Sequence, residues 1–396
     1  MHLGVNVIRL TRQFTGVGRY VECILKEWSE MDVPFEKITL YTHTPLVQER
    51  LAFPLEKYNV EVIGRELPDP LWEWRFLRLQ AQSLNVLFCP SYTIPLGYTG
   101  KCLVTNHGPA ENTWGSYQWW RSRAYELLYK YSAHRASKVG ASSHAVKQRL
   151  IHEYKIPPDK ITVTYPAAST AFRPIHDPVV LQEARRRYIG RETPFILFVG
   201  KLAKRHYIPN LLKAFAAVKK RSSFPHCLVL VGPDYLHLNV PARAEKLGIA
   251  DSVMHIPYVT HRDLPSLYNS AELFVFPASE AEGFGIPVME AMACGTPVVT
   301  VNQGSLREFA PGAAFLAESS TVEALQGALE KMLSDVNLRA DLAAKGLERA
   351  KTITWRATAE TIMAILWQLA QGIEEAHSLA VQGCSALHTV RGTSLC

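Results

Sequence analysis

The sequence predicts an α/β protein made of two doubly wound domains in tandem, with a ligand cleft between them. Three observations predict it. The chain has 396 residues, and one domain usually takes roughly 100–200. Short apolar runs rich in β-branched residues alternate with helical periodicity, the pattern of a parallel sheet. That alternation runs twice, broken once by a stretch rich in Pro and charge over 173–194.

In the first half, strands are expected near 2–9, 38–43, 60–64, 86–89, 101–106, 138–142 and 161–165. Helical patterns lie between most of them, at 18–29, 71–82, 115–135 and 143–154. The second alternation places strands at 195–200, 226–232, 253–257, 273–277, 297–301 and 313–317. Its helices are expected at 208–220, 240–248, 261–270, 287–293, 321–334 and 336–351. A last helix over 355–370 is strongly apolar for a terminal element, so it should pack on something. The domains are therefore set at 1–185 and 186–370, and the aperiodic tail 371–396 is expected to be loose. Ligands of such sheets bind outside the carboxyl ends of the strands, so two facing domains put both sets of strand ends on one cleft.

Composition narrows the class. Hydrophobic residues are 47% and charged residues 20%, a balance that argues against disorder. No apolar run reaches the roughly 18–20 residues of a membrane span. The N-terminus lacks a basic region followed by an apolar stretch, so a cytoplasmic location is expected. The seven cysteines are scattered without a C-x-x-C pair, which suggests neither a zinc site nor a disulfide framework. The net charge of +7 suits an anionic ligand or a membrane surface and is too small to argue for nucleic acid.

The strongest signal for chemistry lies in 273–293, LFVFPASEAEGFGIPVMEAMA. A strand ends at Phe276-Pro277, a polar loop follows, and Pro287 suits the first turn of a helix. Glycines 283 and 285 leave loop amides and the helix N-terminus open to an anion. Glu282 in the loop and Glu290 in the helix aim two carboxylates at one pocket, and carboxylates accept hydrogen bonds from sugar and ribose hydroxyls.

With its context, EGFGIPVMEAMACGTPVV resembles the Glu-x7-Glu signature of the family-4 retaining glycosyltransferases. The resemblance extends from about residue 3 to about 370. It implies the GT-B fold of two Rossmann-like domains, the first binding an acceptor and the second a nucleotide sugar. It also implies that Glu290 holds the ribose, that Glu282 lies beside the transferred sugar, and that the amides of Gly283, Phe284 and Gly285 touch sugar and phosphate.

Three further segments fit. Gly200-Lys201-Leu202-Ala203-Lys204-Arg205-His206 follows the first strand of the second half. Without an Asp-x-Asp to hold a divalent ion, basic residues must neutralise a diphosphate, and Arg forks suit it best. Arg205 matches the family's arginine. His206 stands where a phosphate-binding lysine is usual, which leaves Lys201 or Lys204 to supply the second cation. Gly16-Val17-Gly18-Arg19-Tyr20 opens the first helix. By resemblance Gly16 and Gly18 let backbone approach the diphosphate, and Arg19 and Tyr20 are left as packing residues. His107 ends a first-domain strand, and the family often has a His-Asp there that touches the donor sugar; Gly108 replaces that Asp.

Weaker landmarks are Ala141-Ser142-Ser143, Phe172-Arg173-Pro174, the 258–264 region where the base would rest, and Gly304-Ser305-Leu306-Arg307-Glu308, which is similar to a loop in members using mannose-type donors. Trp72-Glu73-Trp74-Arg75 and Trp119-Trp120-Arg121-Ser122-Arg123 suit either a core or a membrane interface.

The expected activity is a retaining, metal-independent transfer of a mannose- or glucose-type hexose to a glycan or lipid-linked acceptor. No cofactor is expected beyond the UDP- or GDP-linked donor, and peripheral membrane association is the further partner reading. A sugar-nucleotide epimerase on the same fold and a non-catalytic sugar-nucleotide sensor are the rivals.

Overall fold

The computed structural model describes residues 1–11, 16–109, 119–221 and 224–372. The first sheet is built from β1 His2–Asn6, β2 Lys37–Thr42, β3 Asn59–Val62, β4 Val86–Cys89, β5 Cys102–Asn106, β6 Lys138–Ala141 and β7 Ile161–Val163. The second holds β8 Phe195–Val199, β9 Cys227–Val231, β10 Val253–Ile256, β11 Leu273–Phe276, β12 Val298–Val301 and β13 Phe315–Ala317. Their orders are β3-β2-β1-β4-β5-β6-β7 and β10-β9-β8-β11-β12-β13. Every pairing is parallel. Parallel strands need crossovers, and helices supply most of them, so the central strands are covered on both faces. That is why β4, β5, β9 and β11 are buried along their whole length.

The helices of the first domain are α1 Gly16–Ser29, α2 over 69–80 with a π turn at Glu73–Leu77, α3 Trp119–Arg135 and α4 His144–His152. The connection carries α5 Pro178–Tyr188. The second domain adds α6 Ile208–Arg221, α7 Val240–Lys246, α8 Leu264–Ser270, α9 Ile286–Ala293, α10 Val322–Ser334 and α11 Val336–Thr352. Several starts are capped as their sequences allow. Ser143, Thr321 and Thr354 each accept from an amide inside the first turn that follows. Residues 373–396, most of the tail, lie outside the described residues, as do Cys384 and Cys396.

The last helix, α12 Trp355–Gln371, follows the second domain in sequence but packs on the first. Trp355, Ala359, Ile362, Met363 and Leu366 form one apolar stripe. It is buried with Tyr20, Ile24 and Trp28 of α1. Trp28 Nε1 donates to the Ala359 carbonyl at 3.0 Å, and Thr358 donates to that of Tyr165 at 2.6 Å. Burying each large apolar side chain stabilises the contact by roughly 1.5–3 kcal/mol, so this stripe ties the end of the chain firmly to the first domain.

A second tie comes from Glu308, in the turn after β12. Its carboxylate accepts from the His144 and Ala145 amides at 2.9 and 2.8 Å, and from the Tyr165 hydroxyl at 2.7 Å. A second-domain carboxylate thus caps the N-terminus of α4, where the helix dipole favours negative charge. The loop that sequence reading linked to donor type spends its glutamate on this contact between domains.

Candidate active site

The carboxyl ends of β1, β5 and β6 face those of β8 and β11 across the cleft. Glu282 sits in the loop after β11. Arg205 Nε donates to its Oε2 at 2.9 Å, and His206 Nε2 lies 3.1 Å from the same oxygen. Burial pushes the Glu282 pKa up, but Arg205 and His206 more than offset this and hold it at about 2. Glu282 is therefore a fixed anion at any working pH.

Glu290 lies one turn into α9 and is 2% exposed. Tyr268 of α8 donates its hydroxyl to Oε2 at 3.0 Å, and Arg19 of α1 donates Nη1 to Oε1 at 2.7 Å. Burial raises the Glu290 pKa, opposed by Arg19 and the Tyr268 hydroxyl.

The glycines between the glutamates have structural reasons. A Cβ on Gly283 would stand 2.0 Å from the His107 carbonyl oxygen of the other domain. Ser142 Oγ donates to the Gly283 carbonyl at 3.2 Å. Gly285 has φ +95° and opens α9 with no side-chain cap, which leaves the first amides of that helix to another partner. Phe284 is buried against Tyr165 and Phe309, so what it can offer a ligand is backbone. A Cβ on Gly16, at the start of α1, would lie 3.9 Å from Ile286 at the start of α9. Two helix N-termini, one from each domain, therefore meet at the cleft, and Gly18 is buried just beyond.

The basic loop sorts into distinct roles. Lys204 is exposed. His206 is 2% exposed, and its ring nitrogens face the Lys201 carbonyl at 2.6 Å and Glu282. It orients Glu282 instead of reaching outward as a lysine would. Lys201 is the cation that remains beside Arg205. Burial lowers its pKa to about 8, and the neighbouring Arg205 and Arg9 push the same way. His107 lies beneath. Its Nε2 is 2.8 Å from the Pro90 carbonyl, and burial lowers its pKa to about 4, so the ring is neutral and its Nδ1 is an acceptor. Among the described residues, no group of three or more His, Cys, Asp or Glu is placed to hold a metal ion.

Arg9 and Tyr268 carry no local signal, while His261 and Arg19 lie in segments the sequence marks without showing what they touch. Arg9 is held by Asp69 at 3.0 Å and Ser91 at 3.3 Å, and its charge reaches both Lys201 and His107. Tyr268 reads as one more apolar helix position. His261 is half-buried beside Phe172 and Arg19, with its buried Nδ1 lacking a partner. Arg19 corrects the packing expectation, since it pairs with a glutamate of the other domain. Tyr20 does pack: it is fully buried, its hydroxyl donates to Thr164 at 3.0 Å, and its ring meets His107 edge-on.

Comparison with known proteins bears on the family and the fold. Residues 14–172 match the family Glycosyltransferase Family 4, and residues 182–349 match Glycosyl transferases group 1. The chain is 30% identical over 246 residues to the O-antigen chain mannosyltransferase B of Escherichia coli, covering 62% of this chain and 64% of that one. It thus spans less than two thirds of the length of the curated relatives it matches. Sucrose-phosphate synthase from Thermosynechococcus elongatus superposes with a TM-score of 0.73 at 17% identity, covering 94% of this chain and 99% of that one. Anabaena Alr3699/HepE in complex with UDP and glucose superposes with a TM-score of 0.71 at 16% identity, covering 92% and 99%. At these identities the solved structures establish the fold. The chain thus has the GT-B fold, with a match to Glycosyltransferase Family 4 followed along the sequence by a match to Glycosyl transferases group 1.

Proposed function

We propose that this chain is a retaining, metal-independent hexosyltransferase. It takes a mannose- or glucose-type sugar from a UDP- or GDP-linked donor and passes it to a glycan or lipid-linked acceptor. The observation that carries the reading is the pair of carboxylates after β11, Glu290 buried and Glu282 nearly so, each held in a different way. Glu290, framed by Tyr268 and Arg19, suits the ribose diol. Glu282, kept ionised by Arg205 and His206, suits the reacting end of the donor. Lys201, Arg205 and the meeting helix N-termini suit the diphosphate. The relatives named above, a mannosyltransferase and a protein solved with UDP and glucose, support the donor class.

In this reading the acceptor hydroxyl attacks the anomeric carbon from the face the diphosphate leaves. The C1–O bond to acceptor forms as the C1–O bond to phosphate breaks, and a donor phosphate oxygen takes the acceptor proton. The fixed positive groups stabilise charge gathering on the leaving nucleotide diphosphate. Neutral His107 accepts a hydrogen bond from the sugar through Nδ1. Thermal-shift screening with UDP- and GDP-linked hexoses tests the donor class. The anomeric configuration of the product, read by NMR, tests retention. An inverted product overturns the mechanism, and no stabilisation by any nucleotide sugar overturns the activity.

For membrane association, the reading rests on exposed aromatic and basic side chains of two first-domain helices. Trp74 and Trp120 are 44% and 56% exposed, and Leu71 and Leu79 on the helix of the first and Leu127 on that of the second are exposed too. Arg78 lies over the Trp74 ring at 6.0 Å, and Arg75 and Arg123 are exposed nearby in sequence. Trp72 has the other fate: it is fully buried and donates to the Ile63 carbonyl. The contact proposed is peripheral; no described helix is long and apolar enough to cross a membrane.

A further inference from the structure

Arg19 touches no reacting atom in the chemistry above, yet it carries a hydrogen bond from the first domain to a carboxylate of the donor site. Its Nη1 lies 2.7 Å from Glu290 Oε1, across a sequence separation of 271 residues. Tyr268 occupies the other oxygen. A carboxylate oxygen accepts two hydrogen bonds, so each keeps one site open. Two carboxylate oxygens, each with acceptor capacity left, match the two hydroxyls of a vicinal diol.

The surroundings explain why a cation is needed there. Glu22 and Cys23 of α1, His261 before α8, Tyr268 of α8 and Cys294 after α9 face this pair. Burial lowers His261 to about 4 and raises both thiols and the tyrosine, so none of these four carries positive charge at neutral pH. Glu22 is itself an acid. The buried carboxylate of Glu290 depends on Arg19 for its countercharge.

We infer that Arg19 is a positioning residue for the donor nucleotide: the acceptor domain orients and charges the carboxylate with which the donor domain grips ribose. This rests on the reading of Glu290 as the ribose partner. It makes nucleotide affinity a function of domain approach, because the cation and the carboxylate sit on opposite sides of the cleft.

The test is calorimetric titration of UDP and GDP into wild type, Arg19→Met, Arg19→Lys and Glu290→Gln, from neutral to mildly acid pH. Arg19→Met should weaken the nucleotide that wild type binds by about 5- to 150-fold, the usual span of coupling between sites. The loss should deepen as pH falls, because without its cation Glu290 takes up a proton at higher pH. Arg19→Lys should recover part of the affinity and the shallower pH dependence. Glu290→Gln should bind weakly with no such dependence. Tighter binding by Arg19→Met would show that the guanidinium competes with ribose, and would overturn the inference. So would a loss that runs parallel to wild type at every pH, the mark of a merely structural role. If Glu290→Gln weakens binding while Arg19→Met does not, the inference about Arg19 falls alone. If Glu290→Gln binds normally, the ribose assignment falls and takes this inference with it.

Discussion

Lys201 offers a test of the donor site that needs only a pH meter and one conservative substitution. It follows β8, and its ammonium stands 5.1 Å from the centre of the Tyr235 ring. Burial, then Arg205 and Arg9, bring its pKa from 10.5 down to about 8, with Glu282 pulling the other way. The charged form is present below that value and is lost as pH rises through it. If the ammonium helps hold the donor diphosphate, kcat/KM for donor is level below about pH 8 and falls about tenfold per unit above it, or about 1.4 kcal/mol per unit. This ratio reports the free enzyme, so the break reflects Lys201 before the diphosphate binds. Initial rates at low donor concentration, taken across the alkaline range, give the profile. Lys201→Arg keeps its charge at any workable pH and should carry the plateau past the wild-type break. Lys201→Met should be low and level. A break that survives in Lys201→Arg belongs to another group. A wild-type profile with no alkaline fall would refute the role of Lys201 as the second cation.

Four other outcomes are expected. Glu282→Ala should keep nucleotide-diphosphate binding and lose most turnover, whereas Glu290→Ala should weaken that binding by roughly 10–150-fold, the value of a hydrogen bond to a charged group; calorimetry and rates together separate them, and the opposite pattern reverses the assignments. Gly283→Ala drives a methyl into the His107 carbonyl and holds the domains apart, so kcat should drop on the order of 100-fold while the melting temperature barely moves; normal turnover would mean the cleft works in a wider state. Turnover should survive excess EDTA, and complete loss restored by magnesium or manganese would end the metal-independent reading. Binding to anionic liposomes should fall with added salt and with Trp74→Ser or Trp120→Ser, and equal binding to neutral liposomes would remove the basic residues from the argument.

Much of this protein was legible without coordinates because its signals are local. Strand and helix periods are set by neighbours a few residues apart, and the expected elements fall within a few residues of those observed. The spacing of Glu282 and Glu290 is likewise local: a strand end, a glycine turn and one helical turn set one carboxylate in the loop after β11 and the other in α9. The G-x-G opening of α1 and the basic loop after β8 follow from the same rule, that α/β sheets bind ligands at strand ends.

What the tertiary structure decided involves partners far apart in the chain. No periodicity pairs Arg19 with Glu290, Glu308 with the start of α4, or Arg9 with Lys201. Nor does composition say that His206 turns inward to Glu282 while Lys201 faces the cleft, since either side chain suits a basic loop. The return of α12 is the plainest case. Its apolar stripe announces that it must be buried, but burial is non-directional, and any apolar surface would serve. Only the assembled domains show that the surface left open is that of α1 in the first domain, so that the last helix closes the core begun by the first.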